Sequence, residues 1–230
     1  MNAQLLLSSI RKSYGGKICL ELEQLAIRPG RLYILTGPNG SGKSTLLNIM
    51  ALLSKPDRGE LFYAGQPVAW KNRKLTLLRK KITLMHQSPY LFDGTVFDNV
   101  AFGLKARGIP KEQLRHAVDD ALALVGLAGF EERNVKHLSG GEARRVALSR
   151  ALALKPEILL LDEPLAHVDR ESAEVIELLI ASLPARGTTV VMSTHDPLHD
   201  ERLGGEVIPL FEGRMGLMAD RIDAPPTFQI

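Results

Sequence analysis

Nine residues, Gly37-Pro38-Asn39-Gly40-Ser41-Gly42-Lys43-Ser44-Thr45, restrict what this chain can be more than any other stretch. Two glycines separated by four residues are followed at once by a lysine and a hydroxyl residue, the pattern of a phosphate-binding loop. The glycines let the backbone turn tightly and bring its N–H groups against phosphate oxygens. A helix that starts at the end of the loop adds the positive end of its dipole. Lys43 is then placed to reach the β- and γ-phosphates, and the Ser44 hydroxyl to ligate Mg²⁺. Residues 31–36 before the loop read as a buried strand, and 46–50 after it as a helix with an apolar face. That context sets a phosphate site apart from an ordinary glycine-rich turn, and the chain is expected to bind a nucleoside triphosphate.

A length of 230 residues suits one α/β domain with an inserted subdomain. The net charge of +3 is small and mixed along the chain, which argues against a dedicated nucleic-acid surface. A single cysteine, Cys19, excludes a disulfide framework, fits a reducing compartment and reads as a small core residue. The first residues lack the basic start and apolar run of a signal peptide. No apolar stretch approaches the roughly 20 residues that cross a bilayer, so work at a membrane would need a second chain.

Residues 5–10 and 18–22 read as two strands joined at Gly15-Gly16, and 60–63 as another short strand. A basic helix is expected over 72–80, leading into a strand at 82–86. From Val96 to about Leu154 the periodicity is helical, with Val118, Leu122, Leu124 and Val125 forming one apolar stripe. Strand and helix signals alternate again over 158–161, 171–183 and 188–193, which predicts a mostly parallel sheet. The tail from 219 to 230, with Pro225-Pro226, is expected to be loosely held.

Residues 158–161 form an apolar strand that delivers Asp162 and Glu163 at its C-terminal end. In phosphate-loop enzymes an Asp there helps hold Mg²⁺, and a neighbouring Glu is placed to polarise water for in-line attack on the γ-phosphate. Strand alternation predicts that the two carboxylates point different ways. In Leu138-Ser139-Gly140-Gly141-Glu142, Ser139 and Glu142 have capping-box spacing for a helix running to Ala153. The two glycines bare the amides of that helix's N-terminus, which makes an anion site.

That segment, continued by Ala143-Arg144-Arg145-Val146-Ala147-Leu148-Ser149-Arg150-Ala151, resembles the signature helix of ABC transporter ATPases. Other stations of the family follow in order. Tyr14 resembles the aromatic residue that stacks on adenine. Gln87 resembles the glutamine that joins the core to the helical subdomain, contacting Mg²⁺ or the attacking water. Leu165-Ala166-His167-Val168-Asp169 resembles the loop that crosses the dimer interface, although the family more often has a small polar residue first. His195, in Ser193-Thr194-His195-Asp196, resembles the switch histidine at the γ-phosphate. His199, Asp196 and Asp200 lie near it, but Pro197 disrupts helical spacing, and no metal role is assigned there. His86, His116, His137 and His167 are read as surface or packing residues.

The resemblance implies an α/β phosphate-loop NTPase core with a mostly parallel sheet, an antiparallel β subdomain near the N-terminus and an inserted α-helical subdomain. The core with its β subdomain would span about 1–87 and 156–218, and the helical subdomain about 88–155. It also implies ATP and Mg²⁺ as ligands, with Ser44, Gln87 and Asp162 on the metal. Lys43, Gln87, Glu163 and His195 would act on the phosphates and water. The nucleotide would be held by Tyr14, the phosphate loop and, from a second copy in a head-to-tail dimer, Ser139, Gly140, Gly141 and Asp169.

Three classes compete: the energy-coupling subunit of a membrane transporter, a soluble ABC ATPase of the ribosome or DNA, and a binding module without turnover. The complete set Lys43, Asp162, Glu163 and His195 disfavours the last. One cassette with no coiled coil disfavours the second. The stretch from Gln87 to Lys105 resembles bacterial importers, especially those for oxyanions, and residues 36–40, 47–53 and 105–108 are most similar to tungstate-type import ATPases, with phosphate and molybdate importers close behind and an exporter cassette as the alternative. A permease, indirectly a solute-binding protein, and a place at the cytoplasmic face of the membrane are implied. Tyr90, Leu91, Phe92, Val96 and Phe97 are candidates for the groove that accepts a permease helix.

Overall fold

The computed structural model describes residues 3–71, 73–196 and 198–216. The expected loose tail, the Asn72 start of the basic helix and Pro197 therefore lie outside the described residues. Two sheets carry the fold. In the first, β1 (Leu5–Tyr14) and β2 (Lys17–Ile27) form an antiparallel hairpin through Gly15-Gly16. β4 (Arg58–Tyr63) pairs antiparallel with β1 on its other side, and β5 (Gln66–Pro67) completes the sheet in the order β2-β1-β4-β5.

The second sheet has the order β10-β9-β3-β8-β7-β6. Its strands β3 (Leu32–Thr36), β6 (Ile82–Met85), β7 (Ile158–Asp162), β8 (Thr189–Thr194) and β9 (Glu206–Phe211) are all parallel to their neighbours. Only β10 (Arg214–Met215) turns back antiparallel on β9. Every residue of β7 and β8 is buried. A strand covered on both faces reads as a continuous apolar run rather than an alternation, and this is why 158–161 is Ile-Leu-Leu-Leu.

The two faces of this sheet pack into different cores. Ile34, Leu159, Leu161, Val190 and Met192 meet the helices of the middle of the chain. Tyr33, Leu35, Ile158, Leu160 and Val191 meet the antiparallel sheet and α1 (Lys43–Met50). The middle helices are α3 (Val96–Ala106), α4 (Lys111–Leu124) and α5 (Gly140–Leu152), preceded in the chain by the short α2 (Arg73–Arg79).

Two expectations about packing are corrected. Val118, Leu122 and Val125 are fully buried, but Leu124 is 36% exposed. At 100° per residue, position 124 lies on the far side from 118, whereas Leu114 completes the stripe one turn earlier. Cys19 is half-buried rather than a core residue, with its thiol donating to the Lys17 carbonyl at 3.6 Å. It sits in the exposed half of a hairpin strand whose inward positions are taken by leucines.

α6 (Arg170–Ser182) and α7 (Leu198–Leu203) flank β8 in the chain. Parallel pairing sets Thr36 opposite Thr194, and Asp162 opposite Ser193. The carboxyl ends of β3, β8 and β7 therefore open side by side, where an open α/β sheet binds its ligands.

Candidate nucleotide site

The phosphate loop leaves β3 and enters α1. Gly37 has φ of 149°, and a Cβ there would collide with the carbonyl oxygen of Leu210 on β9, so the loop is close-packed from behind. Its front, from Pro38 to Gly40, is exposed. α1 begins after Gly42 without a side-chain cap or an acidic residue in its first turn, leaving its N-terminal amides and dipole end uncompensated. Ser44 is exposed at that end, while Thr45 is half-buried and Ser41 buried.

Lys43 reaches back over the loop and donates to the carbonyls of Gly37 (2.7 Å) and Pro38 (3.0 Å). Only 5% of the residue is exposed. Burial pushes its ammonium pKa down, against the upward pull of Glu163 and then Asp162. The buried ammonium thus lies close to both carboxylates at the edge of the loop, and such strongly perturbed groups gather at functional sites.

The two carboxylates have separate partners. Asp162, at the end of β7, accepts from the Ser193 hydroxyl at 2.6 Å. That same hydroxyl accepts from the Glu163 backbone N–H at 2.9 Å, so β8 braces both residues. Glu163 has left the strand, with φ of 46°, and the divergence of the carboxylates comes from this turn rather than from strand alternation. Glu163 Oε2 accepts from Gln87 Nε2 at 2.9 Å and lies 3.4 Å from His195 Nδ1. Gln87 and His195 are thus brought together on one carboxylate oxygen. Arg144 of α5 donates to the carbonyls of Glu163 (2.9 Å) and Pro164 (3.4 Å). Burial pushes its pKa down and Glu163 opposes.

An oxygen donor set of the Ser44 hydroxyl, the Asp162 carboxylate and the Gln87 amide carbonyl suits Mg²⁺. The Gln87 amide nitrogen is directed at Glu163, which leaves the carbonyl oxygen as its outward donor. Bound there, Mg²⁺ would offset charge on a triphosphate.

Ser139 caps α5: its hydroxyl accepts from the Glu142 N–H at 3.1 Å, and the Glu142 carboxylate accepts from the Ser139 N–H at 2.7 Å. Ser139 and Gly140 are exposed. Gly141 is buried, and a Cβ there would collide with the Asp169 carboxylate and the Ser172 hydroxyl. Asp169 itself caps α6, accepting from the Ser172 N–H at 2.9 Å, a bond that holds its carboxyl below the usual range. Tyr14 stands 52% exposed at the end of β1, with Lys12 Nζ 5.3 Å from its ring centroid.

Sequence reasoning singled out neither Ser193 nor Arg144. A serine at a strand end and an arginine on a helix carry no signal of their own. Thr194 Oγ1 lies 2.7 Å from His199 Nδ1 and accepts from the Asp196 N–H at 3.0 Å, tightening the loop that carries His195.

A second feature lies where α3 and α5 meet the end of β6. Leu84, Met85, Ala147, Ala151 and Leu154 floor a cleft of about 550 Å³ rimmed by Tyr90, Phe92, Phe102 and Arg150. Tyr90, Phe92 and Phe102 are 70%, 40% and 53% exposed. Buried Asn99 fixes the loop that presents Phe92, accepting from the Phe92 N–H and donating to its carbonyl. Of the five groove candidates, Val96 is fully buried in the helical core and is excluded, because its helix turns it inward. Leu91 and Phe97 pack partly against the same core. Phe102, not among the candidates, joins the rim.

A phosphate loop beside a braced pair of strand-end carboxylates defines a phosphate-loop nucleotide-binding protein. The chain belongs to the ABC transporter family, whose pattern it matches over residues 21–166. It is 36% identical over 214 residues to the tungstate uptake system ATP-binding protein TupC of Peptoclostridium acidaminophilum, covering 93% of this chain and 97% of the relative. It is 38% identical over 216 residues to the Fe(3+) ions import ATP-binding protein FbpC of Pasteurella multocida, where 93% of this chain covers 61% of the relative. The chain thus spans about three fifths of that iron-import relative's length. Among solved structures, a dimeric ATP-binding cassette in a post-hydrolysis state with bound ADP and Pi superposes with a TM-score of 0.84 at 32% identity, covering 93% of this chain and 97% of the other.

Proposed function

We propose that this chain is the ATP-hydrolysing subunit of an importer, coupling ATP turnover to solute uptake through a separate permease. The observation that carries this reading is Glu163, held by Gln87 and His195 on one side of the opening that Lys43 faces from the other. Glu163 orients the attacking water, Lys43 and the loop amides stabilise charge on the phosphates, and His195 contacts the γ-phosphate. Tyr14, on its exposed edge, stacks on adenine. The helical block at about 88–155 moves as a subdomain against the core.

In this reading two copies pair head to tail, and each ATP is closed in by Ser139, Gly140 and Gly141 of the other copy, with Asp169 at the interface. ATP binding then stabilises the dimer by linkage, and hydrolysis releases it. The exposure of Ser139 and Gly140 at the start of α5 supports the role. Ser139→Arg places bulk and charge there and is expected to abolish ATP-driven dimerisation in sedimentation, while Ser139→Thr, which keeps the cap, dimerises. Normal dimerisation of the arginine variant would remove Ser139 from the interface.

The aromatic-rimmed cleft receives a helix of the permease, which places the chain at the cytoplasmic face of the membrane. Among the described residues no helix is long and apolar enough to cross a bilayer. Tyr90→Glu or Phe102→Glu is expected to leave ATPase activity of the free chain within about twofold, because both side chains are exposed, yet to block transport in cells. Unchanged transport would count against the cleft. The cargo proposed is tungstate or a related oxyanion, delivered by a solute-binding protein. The near-complete mutual coverage with the tungstate relative supports it.

Capture of tagged Glu163→Gln protein from solubilised membranes with ATP, followed by mass spectrometry, tests the assignment. A permease encoded beside an oxyanion-binding protein is the expected catch. Ribosomal or DNA-bound proteins without a membrane chain would overturn it.

A further inference from the structure

The segment 163–169, which links β7 to α6, is gripped at both ends by the first two turns of one helix. At its far end Gly141 packs against Asp169 and Ser172 so closely that a Cβ there would force their side chains to move. At its near end Arg144 donates to the carbonyls of Glu163 and Pro164. Arg144 is half-buried and makes no ion pair within salt-bridge distance among the described residues; it donates to two main-chain oxygens, with the Glu163 carboxylate close enough to act on its charge. Both bonds come from the one terminal nitrogen Nη1, whose two N–H groups reach the two adjacent carbonyls, the one to Glu163 being the shorter. Those oxygens belong to the turn in which Glu163 adopts a positive φ, a conformation that bulky residues take only when their surroundings impose it.

We infer that Arg144 is a positioning residue for Glu163, tying the Ser139-Gly140-Gly141 end of α5 to the carboxylate turn of the same chain. The Ser193 hydroxyl holds this turn from β8 through the Glu163 N–H, and Arg144 holds it from α5 through the Glu163 carbonyl. The backbone from which the carboxylate projects is held between the two, while Gln87 and His195 meet the carboxylate itself. A shift of α5 is then felt directly at Glu163. Where the N-terminus of α5 closes on a second copy's ATP, one site's occupancy reaches the other site's carboxylate by this route. That last clause rests on the dimer proposed above; the positioning of Glu163 does not.

The test is steady-state ATP hydrolysis by the full chain carrying Arg144→Met, which keeps the aliphatic stem, and Arg144→Lys, which restores one donor and the charge. Arg144→Met is expected to lower kcat about tenfold or more, since misplacement by an ångström can cost about a hundredfold. KM for ATP and the thermal shift on adding MgATP should stay within about twofold, because the phosphate loop is untouched. Arg144→Lys should recover part of the loss. In a Glu163→Gln background the same change should alter the residual rate by less than about twofold, because the group it positions is gone.

Wild-type kcat with a lowered Tm would show that Arg144 only holds the fold together. An equal fold-loss in the Glu163→Gln background would show that it acts elsewhere. Should Glu163→Gln fail to dimerise with ATP while Arg144→Met still loses kcat, the dimer reading falls and the positioning stands.

Discussion

Glu163→Gln is expected to bind MgATP, to hydrolyse it at least about a hundredfold more slowly than wild type, and to accumulate as an ATP-bound dimer. Two features of the site make this substitution unusually clean. Both contacts of the carboxylate, from Gln87 Nε2 and His195 Nδ1, fall on the same oxygen, Oε2. A glutamine can put its carbonyl oxygen there and keep both, so the geometry stays while the basicity and the negative charge are lost. The backbone of the turn is held independently by Ser193 and Arg144, so it does not depend on the side chain's charge. General-base catalysis is typically worth about 10²- to 10⁴-fold, which sets the size of the fall. Phosphate release and sedimentation with and without ATP measure both halves. Hydrolysis at the wild-type rate would remove Glu163 from its role, whereas slow hydrolysis without a dimer would leave the chemistry and remove the sandwich.

The elements around the loop were legible because short-range physics dictates them. A glycine-rich turn between a buried strand and a helix has few alternatives, and Ser139 with Glu142 is a cap that needs no tertiary context. Asp162 and Glu163 could be placed at a strand end because a short apolar run between turn residues suits a strand covered on both faces. The relations between distant segments were not legible. Gln87 and Glu163 are 76 residues apart, and only the pairing of β6 with β7 brings them together. Arg144 read as one more charge on a helix, because its partners are backbone carbonyls that leave no mark in composition. Leu124 was misplaced for a different reason: a run of apolar residues near a helix end blurs the period, and a single position shifts the face by 100°. The strands β9 and β10 escaped as well, although β9 supplies the Leu210 carbonyl that forces a glycine at position 37.

Lys43→Ala is expected to bring ATP turnover to the limit of detection, and Lys43→Met to abolish stabilisation by MgATP without weakening the free protein. One well-placed charge-stabilising group lowers a barrier by about 3 kcal/mol, more than a hundredfold in rate, and Lys43 acts on both phosphates and loop. The stability argument follows from the direction of its pKa. Burial lowers it in the folded chain, so the charged form is disfavoured by folding. The penalty is complete below the depressed value and fades as pH rises through the window between it and the ordinary 10.5. Lys43→Met keeps the packed stem and removes the charge, so without nucleotide its Tm at pH 7 should equal or exceed wild type. With MgATP at a hundredfold over Kd, wild type should gain about 2.7 kcal/mol by linkage, and the methionine variant far less. The two melting curves should therefore change order when nucleotide is added. A variant less stable than wild type in both conditions by the same amount would mean that Lys43 serves the loop's own carbonyls and not a triphosphate.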